Sequence, residues 1–237
     1  MMIREAMEVF WQTLKDIWEE LYGLAIVNLV ALFAPVIPLS IAYLLVGQAG
    51  LVWLSVPFVL ATIVVIPLAI AGVYVVTNRV AHGKTFHFAD FIAGARTYWW
   101  RSLLWFLANI VFLVLVYVNV IFYASQFEGI WVALVGGLWL ALAVFWLTMQ
   151  VYFWPLLIEQ EQPRLLLTWR NAAYMVLANP FFAFFTVSFT IVLFAISVAL
   201  TLPLAFVGIV AVGLMGNNAV LTLLVKFGII KEARPKP

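Results

Sequence analysis

The sequence predicts an all-α polytopic membrane protein: a transmembrane bundle of about six spans in three hairpins, with amphipathic elbow helices on the cytoplasmic side. Of its 237 residues, 67% are hydrophobic and 9% are charged, whereas a soluble domain is about 45–50% apolar and about 25% charged. Two long stretches carry no charge, and all 12 lysines and arginines fall on one side of this topology. Residues 1–237 are therefore predicted to be a single integral membrane domain.

Residues 1–20 are predicted to form an amphipathic helix at the membrane interface. Its apolar side chains recur at steps of three and four, the helical period; they are Ile3, Met7, Phe10, Leu14, Ile17 and Leu21. The opposite, polar face is predicted to carry Arg4, Glu8, Lys15, Asp16 and Glu19. The apolar face is expected either to pack on the bundle or to place Trp11 and Trp18 among the headgroups, and docking of a partner is the sharper alternative.

The spans follow from the positions of the charged residues. Between Glu20 and Arg79 there is none, which leaves room for two helices of about 20 residues. The gap between Arg170 and Lys226 has the same capacity. The six predicted spans are 21–46, 51–76, 102–124, 130–158, 180–202 and 204–225, with a first turn at 46–50. An even number of spans puts both termini on one side, and the positive-inside rule makes the side that holds every lysine and arginine cytoplasmic.

Two cytoplasmic elbow helices are predicted, at 77–101 and 159–179, and a basic tail at 226–237 that associates with anionic headgroups. The first elbow is predicted to present Asp90, Gly94, Thr97 and Arg101 to water and its aromatic side chains to the interface. The second begins near Pro163 and ends at Asn179–Pro180, because proline disfavours helix at the residue before it. The exposed charges most suited to engage a partner are Asp90, Arg96, Arg101, Arg164 and Arg170.

Uncharged amides are the main polar groups within the predicted spans, and no ionisable residue lies at mid-depth. Their simplest role is hydrogen bonding between helices. The alternative is a polar lining for a small-solute pathway, for which the candidates are Asn28, Asn109, Asn217 and Asn218. A stripe of small residues, Ala133, Gly137 and Ala141, predicts close helix packing, either within the chain or between two copies of it. Tryptophan and tyrosine near the span ends, among them Tyr98, Trp100, Tyr152 and Trp154, are predicted to be interfacial anchors.

The sequence contains little that points to chemistry. His82, His87 and Asp90 are the only cluster resembling metal ligands, and nothing nearby completes the four ligands that zinc takes. No cofactor or metal is predicted, and no cysteine is present. No phosphate-binding, dinucleotide or metalloprotease motif occurs, so the protein is predicted not to be an enzyme. A net charge of +2 is too small to predict a nucleic-acid partner.

Several stretches resemble the YesL-like family of bacterial integral membrane proteins. They are NRVAHGKTFHFADFIAGARTYWWRSLLWFLANI at 78–110, the N-x-x-F-Y pattern at 119–123, VYFWPLLIEQ at 151–160 and WRNAAYMVLANPFF at 169–182. The resemblance extends to FWQTLKDIWEELYGLAIVNL near the N-terminus. It implies a multi-pass protein of the bacterial cytoplasmic membrane, often encoded beside carbohydrate import and degradation systems, and it supplies no catalytic residues.

Two functional hypotheses result. The first is a non-enzymatic accessory or scaffolding protein associated with carbohydrate (ABC-type) uptake or glycan utilisation, whose partners are the lipid bilayer, membrane transporter subunits or a second copy of the chain. The alternative is a small-solute transporter or channel whose pathway is lined by the transmembrane amides.

Overall fold

The computed structural model describes residues 2–48 and 51–234, and these residues are almost entirely helical. They form nine α-helices and one short π-helical turn, without a strand. The helices are α1 Met2–Glu19, α2 Leu21–Val46, α3 Val52–Ala81, α4 Phe88–Thr97, α5 Trp99–Gln126, α6 Ile130–Glu159, α7 Leu165–Ala178, α8 Pro180–Leu200 and α9 Ile209–Lys226, and the π-turn Leu204–Gly208 precedes α9.

Six helices are long and apolar enough to cross a membrane: α2, α3, α5, α6, α8, and α9 together with the π-turn. The protein is thus an integral membrane protein, and the predicted all-α polytopic bundle is confirmed. The predicted bounds agree with the helices to within a few residues. The largest difference is α3, which continues to Ala81, since nothing interrupts it before Gly83 adopts a positive φ of 68°. Residues 49 and 50 of the predicted first turn lie outside the described residues.

Helix α9 is the central helix of the bundle, and it packs against α1, α3, α6 and α8. About two-thirds of its span is buried. Small and amide side chains stand among the larger ones on its buried surface, which allows close approach of its neighbours at those positions. A Cβ atom on Gly216 would lie 2.5 Å from the backbone oxygen of Val151 in α6, and one on Gly213 would lie 2.8 Å from the Thr77 hydroxyl in α3.

Only one end of the α5–α6 hairpin packs against the rest of the bundle. The end of the hairpin nearest α7 is packed, since residues 149–157 of α6 include seven buried side chains. In contrast, the outer part, residues 117–148, contains no buried residue. The small-residue stripe faces away from the rest of the chain, because Ala133, Gly137 and Ala141 are all exposed. Packing of this stripe within the chain, one of the two sequence-based interpretations, is therefore not what the structure shows.

The buried face of α1 differs from the predicted one. It consists of Ala6, Val9, Thr13 and Asp16, which pack on α8 and α9, whereas the larger Ile3, Met7, Trp11 and Trp18 are exposed. The prediction that Asp16 faces water is wrong, since Asp16 is 1% exposed. The reason is the set of contacts that α9 offers there: the Asn218 amide donates to Asp16 and Thr13, and the Thr13 hydroxyl also lies 3.6 Å from the Met215 sulfur.

The first elbow also differs in detail. A bend at Tyr98 (φ −105°, ψ 10°) separates α4 from α5, so the two helices do not share one continuous face. Gly94, predicted to face water, is buried. A Cβ atom there would lie 2.8 Å from Val75 and 3.3 Å from Gly72, so Gly94 lets α4 lie close against α3.

Some predicted interfacial aromatics are internal. Tyr152 and Trp154 are fully buried and Tyr98 is 9% exposed, whereas Trp100 is 56% exposed. The Trp154 ring meets Tyr98 edge-on and stacks on Tyr74. Large rings fill the space between α3, α5, α6 and α7, so composition near a span end does not by itself identify an anchor.

Candidate functional site

A cluster of polar side chains joins α1, α9 and the chain that follows α9. The buried Asp16 carboxylate accepts hydrogen bonds from the Asn218 amide at 2.9 Å and the Gln12 amide at 2.7 Å. The Arg234 guanidinium lies 2.6 Å from the same carboxylate and 3.4 Å from the Asn218 carbonyl oxygen. Asn218 also donates to Thr13 at 3.2 Å. The charge that α1 buries is therefore neutralised by a residue far along the chain.

A second cluster joins α3, α6 and α9. The Asn217 amide donates to the Thr77 hydroxyl at 3.0 Å and to the Gly213 carbonyl at 2.9 Å. Its own oxygen accepts from Asn78 at 3.2 Å. Asn78 donates in turn to the Glu159 carboxylate at 2.6 Å. Neighbouring amides at 217 and 218 thus serve two different clusters.

His82 connects the second cluster to the segment after α9. Its Nε2 lies 2.8 Å from the Glu159 carboxylate and its Nδ1 lies 3.0 Å from the Ala233 carbonyl oxygen. A carbonyl and an ionised carboxylate only accept hydrogen bonds, so the doubly protonated imidazolium satisfies both contacts at once. Ala233 contacts His82 of the second cluster and Arg234 contacts Asp16 of the first. Two adjacent residues after α9 therefore take part in both clusters.

Asn28 satisfies the backbone where α8 turns into α9. Its amide nitrogen donates to the carbonyls of Leu204 and Ala205 at 2.8 and 2.7 Å. Its oxygen accepts from the backbone N–H groups of Ile209 and Val210 at 2.8 and 3.1 Å. The π-turn frees these backbone groups within a span, where water is absent to satisfy them. Asn28 therefore acts as a cap supplied by another helix.

Asn109 is likewise bonded to its neighbours. Its oxygen accepts from the Trp146 indole at 2.9 Å, and its nitrogen donates to the Trp105 carbonyl at 2.8 Å. The Trp105 indole donates to Gln150 at 2.8 Å. The four solute-pathway candidates thus belong to four separate sets of hydrogen bonds, and each is bonded within the chain. Asn218 and Arg234 also line a cavity of about 250 Å³ whose other walls include Glu5, Glu8 and Gln12.

The structure brings together only some of the charged residues that were predicted to engage a partner. Arg101, Arg164 and Arg170 line one cavity of about 660 Å³ between α5 and α7, hereafter the arginine cleft. Arg96 lies exposed on α4. Asp90 has internal contacts, since its carboxylate accepts from the His87 backbone N–H at 2.8 Å at the start of α4 and lies 3.3 Å from Arg79.

Sequence reasoning missed Asp16, Arg234, Glu159 and the bridging role of His82. His82 and His87, grouped in the sequence as potential ligands, make separate contacts in the structure. The sequence offered no local signal for Asp16, which directly follows Lys15. Burial raises the pKa of the Tyr98 phenol, while Arg101 opposes part of that rise and Glu159 adds to it, so the phenol stays neutral.

The arrangement is that of a packed bundle with polar clusters toward the end that holds α1 and the segment after α9, and with a basic cleft on its surface. Comparison with known proteins adds no relative: no family model, no curated protein and no solved structure matches the chain.

Proposed function

We propose that this protein is a non-enzymatic accessory or scaffolding component of the membrane that binds another membrane protein through its α5–α6 hairpin. The observation that supports this function is the unpacked outer half of the hairpin, residues 117–148, none of which is buried. The association with carbohydrate uptake or glycan utilisation, which the family resemblance implies, is part of the same proposal.

The hairpin offers a specific surface for another helix. A Cβ atom added to Gly136 or Gly137 would meet no atom within 4 Å. On the face that contains Gly137, the exposed Ala133 and Ala141 are also small. Small side chains repeated at steps of four let two helix backbones come close in lipid, where packing rather than the hydrophobic effect drives association. A transmembrane helix of a transporter subunit is the proposed occupant.

The alternative function, a small-solute pathway, has less support. Asn28, Asn109, Asn217 and Asn218 each have hydrogen-bond partners within the chain, and these bonds explain the amides without a solute. Transport therefore stays a prediction from the sequence, to be tested by uptake into proteoliposomes.

Affinity purification in mild detergent, from cells grown on several carbohydrates, tests the accessory function. Gly137→Leu fills the small-residue face, whereas Gly136→Leu adds the same side chain about 100° further round the helix. Neither disturbs the chain itself, since both positions are open. We expect the wild type and Gly136→Leu to retain the same membrane partner and Gly137→Leu to lose it.

Two results would contradict the proposal. One is recovery of the protein alone under every growth condition. The other is equal retention of the partner by both leucine variants. Co-purification of an untagged copy of the same chain would identify the partner as a second copy and remove the transporter subunit from the proposal.

A further inference from the structure

The arginine cleft gathers positive charge from two helices. Arg101 lies in the first turn of α5, Arg164 immediately precedes α7, and Arg170 lies in the second turn of α7. All three line the cavity of about 660 Å³, which lies within the range of about 300–1,000 Å³ typical of ligand sites. Three like charges repel one another at close range, so such a grouping is most stable with an anion between them.

The protein itself does not neutralise this charge. Arg101 Nε donates to the Pro163 carbonyl at 3.1 Å, and Arg164 Nη2 donates to the neutral Gln162 at 3.2 Å. Across residues 2–48 and 51–234, no ion pair joins any of the three arginines to a carboxylate. The neighbouring Glu161 lines a different cavity, which it shares with Arg164. Terminal guanidinium nitrogens therefore remain for an external acceptor.

Besides the three arginines, the walls of the cleft are mostly apolar, and the cleft lies at the start of the span α5. Trp100 is 56% exposed and Leu166 is 82% exposed, and both line the cavity together with Leu104. A soluble anion or an acidic peptide needs no such wall. A phospholipid does, because its phosphate and its acyl chains must be accommodated side by side. Basic pockets between helices on the cytoplasmic side are the usual sites of anionic headgroups.

We propose that the arginine cleft binds the phosphate of an anionic phospholipid. Guanidinium groups match phosphate oxygens with paired, charge-assisted hydrogen bonds. Arg164 and Arg170 bind the phosphate, Arg101 adds charge while holding Pro163, and an acyl chain lies along Leu104 and Leu166. The cleft is at the opposite end of α5 from the outer part of the hairpin, so this lipid and the proposed protein partner bind separate surfaces.

Native mass spectrometry of the purified full chain in detergent tests the site. The probes are phosphatidylglycerol and phosphatidylcholine with identical acyl chains. Arg164→Gln and Arg170→Gln remove one cleft charge each, and Arg4→Gln is the matched control, since Arg4 is exposed on α1 and forms an ion pair with Glu8. We expect phosphatidylglycerol to be retained preferentially, each cleft variant to weaken that retention about fivefold, and Arg4→Gln to match the wild type.

Two competition measurements distinguish a lipid phosphate from a free phosphate or an acidic peptide. Excess inorganic phosphate and a polyglutamate peptide are expected to leave phosphatidylglycerol bound, because neither uses the apolar wall. Displacement by inorganic phosphate would show a free-phosphate site, and displacement by polyglutamate would show a peptide site; either overturns the lipid proposal. Equal retention of the two lipids, or an equal loss in Arg4→Gln, would do so as well. Two cleft variants are used, so misfolding of one leaves the other decisive.

Discussion

At the residue scale, Asp16 and Arg234 are the pair with the largest consequence. A carboxylate that is 1% exposed is tolerated only when it is paired and hydrogen-bonded, and Arg234, Asn218 and Gln12 provide those contacts. Removing one member of such a pair leaves an uncompensated buried charge, whereas removing both charges does not.

We predict that Arg234→Gln lowers the free energy of unfolding by about 2 kcal/mol, less than the roughly 3–5 kcal/mol of fully buried pairs, because the arginine is partly exposed. The double variant Asp16→Asn, Arg234→Gln should lose less than Arg234→Gln alone, since no charge is then stranded. Denaturation by sodium dodecyl sulfate, followed by circular dichroism, measures both. Lys15→Gln is the control, because its pair with Glu19 is exposed and contributes about 0.5 kcal/mol or less. Additive losses in the double variant would show that the two charges are not coupled.

At the element scale, the spans could be predicted and their faces could not. Hydrocarbon thickness requires about 20 apolar residues, and the charge-free stretches reveal where these occur. Periodicity, however, identifies the buried face only when water is the alternative. In lipid, large apolar side chains such as Leu60 and Phe194 lie outside, while Thr77 and Asn217 lie inside. The pairing of Asp16 with Arg234 has no local signal, because 218 residues separate them.

The prediction at the scale of elements concerns the packing of helix α9. In Gly216→Ala, the new methyl group would lie 2.5 Å from the Val151 carbonyl oxygen, so α6 and α9 must move apart. We expect a loss of about 1–3 kcal/mol in the free energy of unfolding, as for other overpacked positions. Gly137→Ala, where nothing lies within 4 Å, should not destabilise the protein. A Gly216→Ala protein that unfolds at the same detergent concentration as wild type would refute this account of α9.

At the scale of the whole molecule, the orientation in the membrane is a prediction from the basic residues. The chain has no cysteine, so single cysteines can be placed without further changes. Lys84 lies in the exposed connection between α3 and α4, and Glu128 lies in the turn between α5 and α6. These two positions fall on opposite sides of the predicted topology.

With a membrane-impermeant maleimide applied to intact cells, Glu128→Cys should be labelled. Lys84→Cys should react only after the cells are permeabilised, because the positive-inside rule keeps its segment in the cytoplasm. The reverse pattern would invert the topology and place the arginine cleft outside the cell.

The contact between Arg234 and Asp16 also bears on how the protein is made. Helix α1 leaves the ribosome long before residues 233 and 234, so its carboxylate has no guanidinium partner during most of synthesis. Until then Asp16 is more stable in water than in the bundle. We therefore expect Asp16 to be stably buried against α9 only after residue 234 has been synthesised.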